Sequence, residues 1–295
     1  MRKLLLFGLL LGLSSAQEPR EVVYTSFYPL AYFAEVIAAD EFDVHCLVPG
    51  GEDPAFWKPT REDALQLQEA PLVLVHGASF ERWVGYTSLP LASTVFAASF
   101  FREQLLEYDE GATHSHGKDG PPAHRGIDAH TWLEPSLARA EADVVLQALQ
   151  RLKPERAGVY AERHVQLLLA FESWEKAVAS VTEALGDELL IANHPAYEYL
   201  AHFHGWRIEN IELDPDAPID EEARARLSAA KRAGARIVLW EGAPSPEAER
   251  ALTELGLRSL VFSPCETLST EHQAAGEDFV SVMLGNLERL RAALQ

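Results

Sequence analysis

Short apolar runs alternate with amphipathic stretches along this chain, and that alternation predicts an α/β fold with parallel strands. In the first half, strands are expected at residues 22–26, 43–48, 72–76 and 93–97, with helices at 30–39 and 60–69. Thr60 and Asp63 fit a capping box at the second helix. In the second half, strands are expected at 188–192, 207–212, 236–240 and 259–262, and helices at 195–202, 220–233, 246–255 and 278–294. Between the halves lies a helix at 136–152, then a segment at 154–185 that Pro154 opens and only Gly158 interrupts. As one helix of ~32 residues it would reach about 48 Å. Val165, Leu168, Leu169, Trp174, Val178 and Val181 recur along it at helical spacing. The expected architecture is two similar α/β domains, each with a four-stranded parallel sheet, joined by a long connector helix. The boundaries read as 17–153, 154–186 and 187–295.

The first 16 residues fall outside that pattern. Arg2 and Lys3, an apolar run over 4–13 and the small residues Ser14, Ser15 and Ala16 make a secretory signal cleaved before Gln17. That run is too short to span a bilayer, so an exported, extracytoplasmic protein is expected. The formal net charge of −20 argues against nucleic acid or an anionic membrane as partner, and concentrates cations near the surface. Cys46 and Cys265 admit a disulfide or two buried thiols in such a compartment, and the sequence leaves both open. No heptad or interface stripe stands out, so a monomer is the expectation.

In open α/β sheets, ligands bind beyond the carboxyl ends of the strands. Applied here, that rule selects the loop 50–55, His76, the loop ending at His130, His194, Glu241 and the loop 263–266. Imidazole and carboxylate are donors suited to zinc and its neighbours. His130 sits among Asp128, Trp132 and Glu134. His194 follows a strand and precedes a helix, whose N-terminus favours the neutral imidazole. Glu241 closes the strand at 236–240. A cleft between the two domains would bring the three together. Trp57, Trp83, Trp132 and Trp240 are expected to pack around it.

Several stretches together resemble the solute-binding receptors of zinc and manganese ABC importers, the rigid-helix class of periplasmic metal receptors. VVYTSFYPLAYFAEVI at the start of the chain is similar to that family's first strand and helix. GIDAHTWLEP resembles its Asp-Pro-His-x-Trp-Leu-Asp-Pro signature, with Ala129 in place of the proline. HPAYEYLAHFHG resembles its His-x-Ala-Phe-x-Tyr-Leu signature, and DFVSVMLGNLERL fits the family's final helix. The resemblance implies His130 and His194 as metal ligands, a connector helix that limits domain closure, a membrane permease as partner, and no catalysis.

The chain departs from the pattern twice. Ala55 stands where the family's first ligand, a His, would be, and Ser263 stands where its last, an Asp, would be. Replacements for the first are His116 or His114 in the 113–124 loop, His76, or Asp53 and Glu52, with His116 ranked first. The expected ligand set is therefore His130, His194, Glu241 and His116. The expected cargo is zinc rather than manganese, because manganese prefers more carboxylate. A secreted hydrolase would hold zinc with His130, His194 and Glu241 and leave a position for water, and the two missing ligands favour a metal chaperone or an adhesin-like relative without a transport role.

Overall fold

The computed structural model describes residues 20–107 and 126–295. The first sheet holds β1 (Val22–Thr25), β2 (Asp43–Cys46), β3 (Leu72–Val75) and β4 (Thr94–Phe96), all parallel, in the order β2-β1-β3-β4. The second holds β5 (Leu189–Ala192), β6 (Arg207–Asn210), β7 (Ile237–Trp240) and β8 (Arg258–Val261), also parallel, in the matching order β6-β5-β7-β8. Each half is thus the same open sheet, and the central strands β5 and β7 of the second end at the site described below. The central strands β3 and β7 are buried along their whole length, which is why both read as unbroken apolar runs.

The helices are α1 (Tyr28–Ala38), α2 (Arg61–Glu69), α3 (Pro135–Leu152), α4 (Ala157–Leu185), α5 (Glu198–His204), α6 (Glu221–Arg232), α7 (Pro246–Glu254), α8 (Thr270–Ala275) and α9 (Phe279–Ala293). The capping box at Thr60 and Asp63 is present. Asp220, Ser245, Ser269 and Asp278 cap α6 to α9 through their side chains. Six-residue α8 is too short for periodicity to reveal.

The connector takes the expected form with two differences. Pro154–Arg156 make a 3-10 turn, and the 29-residue helix α4 follows, about 44 Å long. Its buried positions are Tyr160, His164, Leu167, Phe171, Trp174, Val178, Val181 and Leu185, alternating in steps of four and three. Val165 and Leu169, expected on the buried stripe, face solvent instead. The phase differs because the seam includes His164, which pairs with Asp143 of α3 at 2.9 Å and is invisible to a count of apolar residues. Along this seam α4 packs against α1 and α3 of the first half and α9 of the second. Trp174 meets Phe171 and Phe279 edge to face, with ring centroids 5.8 and 5.6 Å apart.

Other contacts join the halves near the cleft. The Tyr199 hydroxyl of α5 donates to the Asp128 carbonyl (2.7 Å) and accepts from the Leu106 N–H (3.1 Å). His204 lies 3.2 Å from Glu134, whose other oxygen caps α3. Cys46 and Cys265 are free thiols, one in β2 and the other beside the cleft. Among the described residues, no helix is long and apolar enough to cross a membrane.

Replacing Trp174 with Ala should destabilise the protein by about 3–5 kcal/mol in urea or thermal unfolding, because the cavity would open where both halves meet the connector. A loss below about 1 kcal/mol would mean the seam does not tie the halves together.

Candidate metal centre

His130 is set by the turn that contains it. Asp128 is fully buried, and its Oδ1 accepts the His130 backbone N–H at 3.0 Å and lies 2.8 Å from His130 Nδ1. A proton on Nδ1 satisfies that carboxylate and leaves Nε2 as the donor atom toward the cleft. A 3-10 turn over Thr131–Leu133 follows, and Trp132 packs on the His130 ring with centroids 5.3 Å apart. His130 itself is buried, and α3 is capped by Glu134 rather than by the histidine.

His194 and Glu241 are held by one residue, Asn193. Asn193 extends β5, donating its N–H to Leu239 (3.0 Å) and accepting from Leu213 N–H (3.1 Å). Its side-chain oxygen accepts the Glu241 N–H at 3.1 Å, and its side-chain nitrogen donates to the Leu213 carbonyl at 3.3 Å. The carboxamide therefore locks the ends of β5 and β7 together, with His194 beyond one and Glu241 beyond the other. The expected helix at 195–202 begins only at Glu198, because the Ala196 N–H turns back to the His194 carbonyl at 2.8 Å. His194 precedes that helix by four residues and so does not sit at its N-terminus.

The rings of His130 and His194 stand 5.6 Å apart at 72°. One donor atom each from His130, His194 and Glu241 lie within 4.8 Å of one another. Tetrahedral donors around zinc sit about 3.4 Å apart, so small side-chain adjustments would close the set on an ion. Glu266, in the loop beyond β8, brings Oε1 to 3.8 Å from His130 Nε2. The strand-end rule covers residues 263–266, but nothing in the local sequence singles out Glu266. These groups open onto a cleft of about 840 Å³ whose lining includes Glu52, Asp53, His194, Glu241 and Glu266.

Other candidates lie elsewhere. His76 is fully buried in the first half, 3.6 Å from Glu141 and 3.5 Å from the Thr131 hydroxyl, facing α3 rather than joining this group. Ala55 is buried, and its N–H donates to Asp53 Oδ1 at 2.8 Å. Lys58 is exposed. His114, His116 and His124, and the expected signal peptide, fall outside the described residues. The tryptophans differ from expectation. Trp57 and Trp83 meet edge to face with centroids 5.7 Å apart in a separate cluster with Val48 and Leu67, and Trp240 packs with Ile191, Val238 and Leu252. Neighbouring strand residues point to opposite faces, which sends Trp240 into the layer beneath α6 and α7. Of the four, Trp132 is the one that touches a site histidine.

Crowding of carboxylates sets the electrostatics. Burial, then the Asp53 charge, raises Glu241 to about 7 against the pull of His130. Burial and the charges of Asp53 and Glu241 push Glu266 well above the ordinary carboxylate range, and burial raises Asp53. For His130, burial opposes the charge, but the Asp128 hydrogen bond and the Asp128, Glu266 and Glu241 charges outweigh it and raise it to about 9. Without a metal the cluster gathers protons; a divalent cation would replace them.

A sequence model of the ZnuA family, described as zinc-uptake complex component A, periplasmic, matches residues 23–293. The chain belongs to this family. It is 27% identical over 277 residues to the high-affinity zinc uptake system protein ZnuA of Bacillus subtilis, covering 92% of this chain and 87% of that one. It is 28% identical over 283 residues to the zinc-binding lipoprotein AdcA of Streptococcus pneumoniae, covering 91% of this chain but 55% of AdcA, so it spans about half that relative's length. The crystal structure of the metal-dependent lipoprotein YcdH from Bacillus subtilis superposes with a TM-score of 0.79 at 26% identity, covering 92% of this chain and 98% of that one. The two-domain α/β architecture with its long connecting helix is thus that of ZnuA-type proteins, a family of metal-binding transport receptors rather than enzymes.

Because His130 must give up a proton held to about pH 9 and Glu241 one held to about pH 7, zinc binding at pH 7 should release protons. Affinity should rise with pH through the 6–9 window and flatten above it. Calorimetry in buffers of differing ionisation enthalpy counts those protons; pH-independent affinity without proton release would contradict the assignment.

Proposed function

We propose that this protein captures a divalent zinc ion outside the cytoplasm and delivers it to the membrane permease of an ABC importer. The observation that carries the reading is the convergence of the buried His130 and His194, one from each half, with the half-buried Glu241 at the cleft. Membership of a zinc-uptake family supports zinc as the cargo. In this reading His130 Nε2, His194 and Glu241 bind the ion, and Glu266 supplies the fourth donor where the family pattern loses its aspartate at Ser263. Two imidazoles with two carboxylates make a closed four-coordinate shell. Capture needs no bond-making beyond ligation, and release follows when docking on the permease parts the two halves.

His130→Ala and His194→Ala should each weaken zinc binding more than about 100-fold in chelator competition, since loss of an outer-shell partner alone costs 10–100-fold. Wild-type affinity in either variant would exclude a site shared between the halves. Deleting 113–124 separates Glu266 from His116 as fourth donor. Affinity should stay within about threefold of wild type, and a loss beyond about tenfold would put His116 in the site.

A further inference from the structure

The loop that carries Glu266 follows β8, so the chain assigns it to the C-terminal half, yet its hydrogen bonds divide it between both. Its first residues are fixed to their own half. The Phe262 carbonyl accepts from the Tyr197 hydroxyl at 2.6 Å. The Ser263 N–H donates to Asn286 Oδ1 of α9 (3.1 Å), and its carbonyl accepts from Asn286 Nδ2 (2.7 Å). One residue later the attachment changes sides. Trp132 Nε1, from the N-terminal half, donates to the Pro264 carbonyl at 2.9 Å. The Tyr28 N–H, at the start of α1, donates to the Glu266 carbonyl at 2.9 Å. Cys265 between them adopts φ 58°, the left-handed region that a non-glycine residue takes only when its surroundings require it.

Trp132 is well suited to hold such a strap. It is fully buried, and Phe27 and Phe80 pin its ring with centroids 4.7 and 5.0 Å away. The indole N–H therefore has one available direction, and the acceptor it meets lies two residues before Glu266.

We infer that Trp132 is a positioning residue for metal capture: its indole N–H fastens the 264–266 segment to the N-terminal half and so keeps Glu266 beside His130. This rests on Glu266 being a ligand, as proposed above. The consequence is that the site divides by mechanical attachment and not by sequence. His130 and Glu266 travel with one half, and His194 and Glu241 with the other. Each half retains one imidazole and one carboxylate, and neither pair closes a tetrahedral shell around zinc. Parting the halves thus halves the coordination at once.

The test is a double-mutant cycle on the full chain, reading zinc affinity by competition with a chromophoric chelator and zinc release by stopped flow, with melting temperature as the fold control. Trp132→Phe keeps an aromatic ring and removes the donor. It should weaken zinc roughly tenfold, through faster release, and Glu266→Gln should weaken it by at least that much. Adding Trp132→Phe to Glu266→Gln should cost less than about twofold more, because both act through one carboxylate. Wild-type affinity in Trp132→Phe, or losses that add in the double variant, would overturn the inference and leave Trp132 a packing residue. Wild-type affinity in Glu266→Gln alone would instead refute Glu266 as a ligand, and the inference with it. If Trp132→Phe does not fold, benzothienylalanine at position 132 keeps the shape, removes only the N–H, and carries the same expectations.

Discussion

Asp53, Asp128, Glu241 and Glu266 crowd around His130 at the cleft, and their mutual repulsion is relieved only by positive charge. A proton on His130 is one source, with protons on Glu241 and Glu266 as others. A divalent cation held by the two histidine rings is a better one, because it answers several carboxylates at once. Buried like charges are costly, and a fold that keeps them together without a partner spends stability on readiness to bind. The rest of the molecule can be understood as the framework that holds this repelling set in place.

That framework is built by duplication and then tied. Two sheets of identical strand order flank one cleft: the second half supplies His194 and Glu241 just beyond adjacent strands, held by a single carboxamide, that of Asn193, and the loop after β2 of the first half brings Glu52 and Asp53 to its lining. The first half supplies His130 from the turn before α3, with Asp128 fixing the ring. Helix α4 lies along α1, α3 and α9 through a seam of alternating four- and three-residue steps. Such a seam resists rotation of one half against the other, because sliding a continuous interlocked row breaks many contacts together. Tyr199 and the Trp132 strap add cross-links at the mouth, where small movements decide whether the donors meet.

The strands were legible because each is a short apolar run that stands apart from the amphipathic helices, and all eight fall where that contrast puts them. The long connector was legible from its lack of breakers, and His130, His194 and Glu241 from the rule about strand ends. What escaped was set by three-dimensional partners. The buried stripe of α4 includes His164, which is tolerated there because Asp143 receives it. Trp57, Trp83 and Trp240 looked like cleft residues by their neighbours in sequence, but strand alternation and a mutual edge-to-face contact take them elsewhere. Glu266 carries no local signature. It matters because a tryptophan distant in the chain binds the backbone two residues before it, and no window of sequence contains both.

The central claim is that two histidines from opposite halves and two glutamates enclose one zinc ion. X-ray absorption at the zinc edge, on protein loaded with one equivalent, tests it directly. The account predicts a four-coordinate shell of nitrogen and oxygen at about 2.0–2.2 Å, with multiple-scattering features of two imidazoles and no sulfur. A sulfur shell at about 2.3 Å would move the ion to Cys46 or Cys265, and a signal of fewer or more than two imidazoles would break the proposed set.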